Sequence, residues 1–245
     1  MKRIKITIAY DGTNYCGWQV QPNGITIEEI INKKLSKLTG EQIVVIGASR
    51  TDSGVHALGN VAVFDTNTTI PPERISHALN QRLPEDIHIM KSEEVPSDFH
   101  PRYCNCKKTY EYNIINTRTP IPTKRLTNYF VSYELDIENM KKAATYLIGQ
   151  HDFVSFCNIR TNVENTVRTV TELEITTYNE EIKICITGTG FLYNMVRIIV
   201  GTLIRVGRGY YKPEQVKEIL EARDRKAAGV TAPANGLMLV RIDYE

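Results

Sequence analysis

Asp52, which lies between an arginine and two turn-forming residues, is the group in this sequence best placed for catalysis. It belongs to the run Ala48-Ser49-Arg50-Thr51-Asp52-Ser53-Gly54-Val55-His56-Ala57. Gly54 permits a positive φ, and Arg50 could hold the carboxylate ionised or bind a phosphate. The run joins two apolar stretches, so it is predicted to form a loop on a rigid scaffold. The alternative is a polar hairpin loop with both charges solvated, which would be favoured if the Arg-x-Asp spacing stood alone.

Three further runs accompany it. The first holds the only tryptophan beside two tyrosines, the second places two aromatic rings on one strand face after a basic pair, and the third places an arginine one turn after a tyrosine. These runs are Tyr10 to Gln21, Lys107 to Tyr112 and Gly188 to Arg197. The segment Gly188-Thr189-Gly190 by itself would be weak support for a nucleotide site, because it lacks the spacing of a Rossmann loop.

The basic residues are unevenly distributed, although the net charge is only +2. Residues 102–125 contain six basic residues against one acid, and residues 197–212 contain four basic residues and no acid. Such clusters could line a phosphate-binding surface. A solvated basic face explains either cluster equally well.

Length and composition are those of an ordinary globular protein. The 245 residues can bury a large core as one domain or two, and no apolar stretch approaches the length of a membrane span. No signal or transit segment is expected ahead of the first strand pattern. The five cysteines are odd in number and widely spaced, which predicts a reducing, cytoplasmic location. Cys104 and Cys106 lack a second pair at finger-like spacing, so we expect no metal site there.

Hydrophobic periodicity and capping signals predict the elements of the first half. Ile4, Ile6 and Ile8 alternate with polar residues, and Thr26 and Glu29 have the spacing of a capping box ahead of an apolar helical stripe. The order is β-α-β-β-α-β. The predicted elements are a strand at 3–10, a helix at 26–39, strands at 43–46 and 61–64 around the Asp52 loop, a short helix after Pro71-Pro72 and a strand from Ile87.

The second half repeats this order. The predicted elements are strands near 110–114, 129, 167–178 and 182–187, a helix at 137–148 that stops at Gly149, a long helix at 191–206, a Pro213-initiated helix and a final strand at 237–242. The repeat predicts an α+β fold of two ferredoxin-like units, with mainly antiparallel sheets, helices on one side and an active-site cleft between the units. The predicted domains are 1–103, which carries the Asp52 loop, and 104–245, which carries Tyr110 and Arg197.

Together the four runs resemble the A family of tRNA pseudouridine synthases, and the match extends in order over essentially the full chain. The resemblance implies isomerisation of uridine to pseudouridine in the anticodon stem-loop of tRNA, at positions 38–40, without cofactor or metal. It also implies a homodimer that grips each tRNA across both subunits, with the basic stretches lining the clefts. Shorter matches are Leu79-Asn80, Leu83-Pro84, Asp86-Ile87, His151-Asp152-Phe153, Ser155-Phe156, Ala232-Pro233 and Gly236-Leu237.

The resemblance further implies roles for individual residues. The aspartate aligned with Asp52 is the family's nucleophile, acting at C6 of the base or C1′ of the ribose, or as a base at C2′. Arg197 matches the arginine that pairs with this aspartate. Tyr110 matches the tyrosine that stacks on the target uracil and is a candidate for proton transfer at C5. Arg50 is assigned to backbone phosphate and to opening the RNA helix, and Leu237 to the apolar floor beneath the uracil.

These roles fit elementary physical chemistry. An aspartate with an ordinary pKa of about 3.9 is ionised at neutral pH, so Asp52 needs only protection from protonation on burial, which a guanidinium supplies. Everting a uridine from a stem costs roughly a few kcal/mol, and stacking on an aromatic ring returns about 1–3 kcal/mol per base. Tyr110 and Tyr112 share a strand face, so we expect one to serve the pocket and the other to support it; a purely core-facing pair is the alternative. His56 is expected to order the loop.

Departures from the family pattern and two other functions bear on this interpretation. Ser49 replaces glycine, Asn60 replaces glutamine and Pro101 replaces alanine, which affects loop stiffness and RNA contacts. One alternative is a catalytically silent RNA-binding module of paired RRM-like units, whose aromatic consensus is only faintly matched. The other is a phosphohydrolase, which is disfavoured because no further acidic cluster offers a magnesium site.

Overall fold

The computed structural model describes residues 1–158 and 165–245, which form two compact units. Unit 1 comprises Met1–Cys106 and Met238–Glu245, and unit 2 comprises Lys107–Leu237. The predicted domains placed residues 238–245 in the second domain, whereas here they pack with the first, because they form a strand beside one of its own. No helix in the described ranges is both long and apolar enough to cross a membrane.

Unit 1 has the predicted β-α-β-β-α-β order and gains one late strand. β1 pairs antiparallel with β3 and β4, and β2 pairs antiparallel with β3, which gives the strand order β4-β1-β3-β2. β10 pairs in parallel with β3 through Met238 and Leu239. The elements are β1 (Lys2–Tyr10), α1 (Ile27–Thr39), β2 (Ile46–Gly47), β3 (His56–Thr66), α2 (Ile75–Asn80), β4 (Ile87–Val95) and β10 (Leu237–Tyr244).

The core of unit 1 follows from its sequence pattern. The alternating isoleucines of β1 are fully buried, as are Ile27, Ile31 and Leu35 of α1. α1 begins as predicted, because the Thr26 hydroxyl accepts a hydrogen bond from the N–H of Glu29 and caps the helix. It ends where Gly40 takes the left-handed conformation, with φ of 75°.

The predicted strand at 43–46 is wrong for most of its length. Only Ile46–Gly47 pairs with β3. The N–H groups of Ile43 and Val45 instead donate to the side chains of Ser36 and Asn32 on α1. The alternating burial of this stretch therefore comes from contacts with a helix, which periodicity alone does not distinguish from a strand.

Unit 2 is also built on a mainly antiparallel sheet, which confirms the predicted α+β class. β9 pairs antiparallel with β5 and β8, β7 pairs antiparallel with β8, and β6 pairs in parallel with β5. α4 is almost entirely buried, as its apolar sequence predicts. The elements are β5 (Cys106–Asn116), β6 (Tyr129–Val131), α3 (Ile137–Thr145), β7 (Gly149–Asp152), β8 (Val167–Tyr178), β9 (Glu181–Gly188), α4 (Met195–Gly207) and α5 (Gln215–Ala222).

Two helix boundaries in unit 2 differ from those predicted. α3 ends at Thr145, and Gly149, with φ of 111°, opens β7, which the sequence pattern missed. α4 begins at Met195 rather than at 191, because Asn194 has φ of 61° and interrupts the helical conformation just before it.

Candidate active site

The Asp52 loop, residues 48–57, is held by a second loop, residues 10–18, which belongs to the tryptophan-containing run. The N–H of Trp18 donates to the carbonyl of Thr51 at 3.1 Å, and the N–H of Gly54 donates to the carbonyl of Tyr15 at 3.4 Å. Inside the Asp52 loop, the N–H of Val55 donates to the carbonyl of Asp52 at 3.1 Å. Gly54 has the predicted positive φ, 77°. The backbone on both sides of the Asp52 carboxylate is thus fixed.

Two glycines of the second loop make this close approach possible. A Cβ on Gly12 would overlap the carbonyl of Val55, and a Cβ on Gly17 would lie 2.6 Å from the carbonyl of Thr51. Gly17 also has φ of 85°, which other L-residues rarely adopt. The spacing of glycines in this run is therefore explained by contact with the Asp52 loop.

A buried polar network beneath the loop was not found from the sequence. The Tyr10 hydroxyl lies 2.8 Å from the Thr51 hydroxyl, and the Asn60 side-chain amide donates to Tyr10 at 3.2 Å and to the Ser49 carbonyl at 3.1 Å. Asn60 is fully buried, so its departure from the family pattern affects loop stiffness rather than RNA contact. The hydroxyl of Ser49 is also buried and has no hydrogen-bond partner in the described part of the chain.

His56 orders the loop, as predicted. Its ring is buried, its Nδ1 accepts from the N–H of Gly12 at 3.1 Å, and the same atom lies 3.1 Å from a carboxylate oxygen of Asp11. Burial would raise the pKa of Asp11, but hydrogen bonds from Thr13 and the nearby His56 lower it below its ordinary value. Asp11 is therefore ionised at the base of the loop, beside the His56 ring.

Asp52 itself is half-buried, whereas Arg50 is exposed. Arg50 has a second cation near it, Arg102, whose Nε donates to the Gly47 carbonyl at 2.6 Å. Burial, and then the charge of Arg50, lower the pKa of Arg102. Two neighbouring guanidinium groups beside the loop favour an anion such as phosphate. The assignment of Arg50 to backbone phosphate stays a prediction.

In unit 2, Tyr110 and Tyr112 share one face of β5 but have different surroundings. The Tyr112 ring is fully buried, its hydroxyl donates to the Pro233 carbonyl at 2.8 Å, and Gly236 packs so closely that a Cβ would meet the ring. Burial raises the pKa of Tyr112, so it stays a neutral donor. Tyr110 contacts the edge of Phe191, with ring centroids 5.3 Å apart. Tyr110 is also buried, with 9% of its surface exposed, so the assignment of Tyr112 as the supporting member of the pair stays a prediction.

Arg197 is oriented by two hydrogen bonds in the plane of its guanidinium. Nε donates to the Ala232 carbonyl at 2.7 Å, and Nη1 donates to the Asn194 side-chain oxygen at 3.0 Å. Asn194 directly precedes α4, but its side chain makes no capping hydrogen bond to the helix. A cation in the first turn of a helix opposes the helix dipole, so this placement is maintained by specific contacts and not by helix preference.

The Ala232 segment reaches Arg197 because α4 carries a glycine at the point of contact. A Cβ on Gly201 would overlap the Val230 carbonyl. The N–H of Ala232 also donates to the Arg197 carbonyl at 3.1 Å, so the two segments are joined in both directions. Glycine in a helix interior costs about 1 kcal/mol relative to alanine, and the close approach accounts for its presence. Leu237, which ends unit 2, is buried at the start of β10.

Comparison with known proteins shows the family to which the chain belongs. A family model described as tRNA pseudouridine synthase matches residues 6–104 and 143–245. The chain belongs to the tRNA pseudouridine synthase family. The resemblance inferred from the four runs is thereby confirmed. The matched ranges include Asp52, Arg197 and Leu237, whereas Tyr110 lies in the stretch between them.

Full-length relatives of the tRNA pseudouridine synthase family are similar throughout. tRNA pseudouridine synthase A 2 of Clostridium perfringens (strain 13 / Type A) is 49% identical over 244 residues, which is 100% of each chain. tRNA pseudouridine synthase A of Thermoanaerobacter sp. (strain X514) is 50% identical over 244 residues, again 100% of each chain. Among solved structures, an archaeal box H/ACA Nop10–Cbf5 complex has a TM-score of 0.38 and 8% identity over 82% of this chain and 44% of its own, which is too distant to inform fold or function.

Proposed function

We propose that this protein isomerises uridine to pseudouridine in the anticodon stem-loop of tRNA, at positions 38–40, without a cofactor. The observation that carries the proposal is the family match over both halves of the chain, together with full-length relatives named tRNA pseudouridine synthase A. The reaction breaks the bond from N1 to C1′, joins C5 to C1′ and moves a proton from C5 to N1.

Asp52 is the proposed nucleophile, acting at C6 or C1′, or as a base at C2′. A group that attacks a base must be held close to its attack position. Holding it in the reactive geometry can supply much of the rate enhancement. The support for Asp52 is the double restraint of its loop, by backbone bonds from residues 10–18 and by the buried network of Tyr10 and Asn60.

Residues of unit 2 have complementary roles in the proposal. Arg197 keeps Asp52 ionised, and its support is a guanidinium already oriented by Ala232 and Asn194. Tyr110 stacks on the everted uracil and takes part in proton transfer at C5, and its ring is braced by Phe191. Leu237 forms the apolar floor beneath the uracil. In unit 1, Arg50 binds the RNA backbone and opens the RNA helix.

The substitution Asp52→Asn tests the nucleophile. The side chains are nearly equal in size, so folding and tRNA affinity should be unchanged while pseudouridine formation is abolished. Chemical labelling and primer extension on an unmodified tRNA transcript would measure this, with Asp243→Asn, a change at an exposed carboxylate, as the matched control. Full activity of Asp52→Asn would remove Asp52 from the mechanism. RNA binding without any pseudouridine from the wild type would instead favour the silent RNA-binding module.

The protein is further proposed to be a homodimer of the cytoplasm. The five cysteines are odd in number and widely spaced in the sequence, which supports a reducing compartment. Sedimentation equilibrium of the full chain tests the dimer, for which a mass of a single chain, 27.9 kDa, would be the contrary result.

A further inference from the structure

A groove in unit 2 is lined by aromatic and arginine side chains that the pseudouridylation proposal does not use. Its volume is about 560 Å³, within the range of ordinary ligand sites. The C-terminal end of α4 forms one wall with Arg205 and Arg208, and the segment 230–233 forms another. Tyr133 and Tyr210 also line the groove.

Arginine and tyrosine side chains alternate along this groove. The Arg208 guanidinium carbon lies 4.0 Å from the ring centroid of Tyr133 and 4.9 Å from that of Tyr210. The Arg205 guanidinium carbon lies 5.9 Å from the ring centroid of Tyr210 and 5.7 Å from that of Tyr211. A stacked guanidinium keeps the N–H groups at its edge available, and these match a phosphate in a bidentate geometry.

The end of α4 builds this arrangement through a Schellman motif. Gly209 takes φ of 77°, its N–H donates to the Val206 carbonyl at 2.8 Å, and the N–H of Tyr210 donates to the Arg205 carbonyl at 2.9 Å. The chain therefore reverses at Gly209 and brings Tyr210 and Tyr211 back beside Arg205. The stack is fixed by backbone geometry before any ligand arrives.

The groove carries an uncompensated positive charge. Its lining contains two arginines and no carboxylate, and neither guanidinium forms an ion pair within residues 1–158 and 165–245. The helix dipole favours cations at this end of α4, yet it does not require two arginines with a tyrosine ring between them. Arg208 is exposed and Tyr210 is 60% exposed, so a ligand from solvent can reach both.

We propose that this groove binds a phosphodiester of the RNA substrate, with the adjoining base stacked on an exposed tyrosine, at a nucleotide other than the target uridine. The inference rests on the proposed function. The occupant is taken to be the same RNA because the groove wall includes Ala232, whose carbonyl accepts the hydrogen bond from Arg197. A nucleotide in the groove is thus separated from a proposed target-site residue by a single backbone segment.

The test compares Arg208→Gln with Lys217→Gln in the full-length protein. Lys217 is an exposed cation of α5 in the same unit, and its Nζ lies 3.9 Å from a carboxylate oxygen of Glu221, so the control removes the same charge from a different environment. For Arg208→Gln, we expect the Kd for an unmodified tRNA transcript to rise about tenfold, as for loss of one charge-assisted hydrogen bond. The slope of log Kd against log salt should fall by about 0.7–0.9. Lys217→Gln should change the affinity for tRNA much less than Arg208→Gln does. It should leave the rate of pseudouridine formation unchanged.

A second variant, Arg208→Lys, keeps the charge but loses the planar fork, and should bind with intermediate affinity. It also decides the question if Arg208→Gln does not fold. Equal tRNA affinity for the arginine variants and the lysine control would overturn the inference. So would a change in oligomeric state with unchanged tRNA affinity, which would identify a second copy of this chain as the occupant. Absence of pseudouridine formation by the wild type would refute the proposed function instead, and would leave the binding comparison valid.

Discussion

Removal of the Tyr10 hydroxyl tests whether the buried network holds the Asp52 loop in its reactive position. Tyr10→Phe deletes the bond of 2.8 Å to Thr51 and one acceptor of the Asn60 amide, which keeps its second bond to Ser49. The phenyl ring itself remains, so packing against Trp18 should be preserved.

The expected cost follows from what the substitution leaves behind. A neutral hydrogen bond contributes about 1 kcal/mol, and a buried hydroxyl without a partner costs about 1–3 kcal/mol. Thr51 is only 8% exposed, so water cannot readily replace the lost partner. We therefore expect the free energy of unfolding to fall by about 1–3 kcal/mol. If about 1.4 kcal/mol of this is lost from the reactive loop conformation, kcat/KM falls about tenfold.

Urea unfolding and pseudouridine formation on a tRNA transcript would measure the two effects. Tyr244→Phe is the matched control, because it removes one tyrosine hydroxyl bond, to the Pro101 carbonyl at 3.0 Å, in the same unit but outside the Asp52 loop. The control should lose stability and keep its kcat/KM. Equal kcat/KM for the two variants would refute the view that the network positions Asp52.

Two further predictions concern Arg197 and an ion pair of unit 1. Asn194→Gly keeps the positive φ but removes the side-chain oxygen bonded to Arg197. The kcat should therefore fall about tenfold, the usual effect of losing a hydrogen bond to a charged group. Asn194→Ala should in addition lower the stability measured by urea unfolding, because alanine disfavours a positive φ. An unchanged kcat in the glycine variant would contradict this. The bond from Arg3 lowers the pKa of Asp65, so the pair stabilises the fold above the unfolded pKa of about 3.9 and less as pH falls through the folded value. Asp65→Asn should therefore lower the free energy of unfolding at pH 7, and lower it less as the pH falls below about 3.9. An effect that does not change with pH would show that the pair is not the cause.

Local signals in the sequence predict most of the elements, because those signals act within a few residues. The Thr26 side chain caps α1 by accepting a hydrogen bond from Glu29, three residues later. Asn179, with φ of 51°, lies in the short gap between the predicted strands 167–178 and 182–187. The family motifs likewise identify the Asp52 loop, since its glycine and its Arg-x-Asp spacing are adjacent in the chain.

The errors come from hydrogen bonds made by side chains. Ile43 and Val45 donate to helix side chains instead of to a strand, and Asn194 leaves the helical conformation while its side chain binds Arg197. The Tyr10 network escaped prediction for the same reason, because its partners lie 41 and 50 residues away. Side-chain hydrogen bonds of this range leave no periodic trace in a sequence.

The parallel pairing of β10 with β3 constrains how the nascent chain can mature. β10 is translated after the whole of unit 2. The edge of β3 at His56 and Ala57 therefore lacks its β10 partner while unit 2 is being synthesised. An open strand edge is a template for wrong pairing, including with neighbouring nascent chains. The loop that carries Asp52 leads directly into that edge, so we expect its scaffold to be among the last parts of the protein to mature during synthesis.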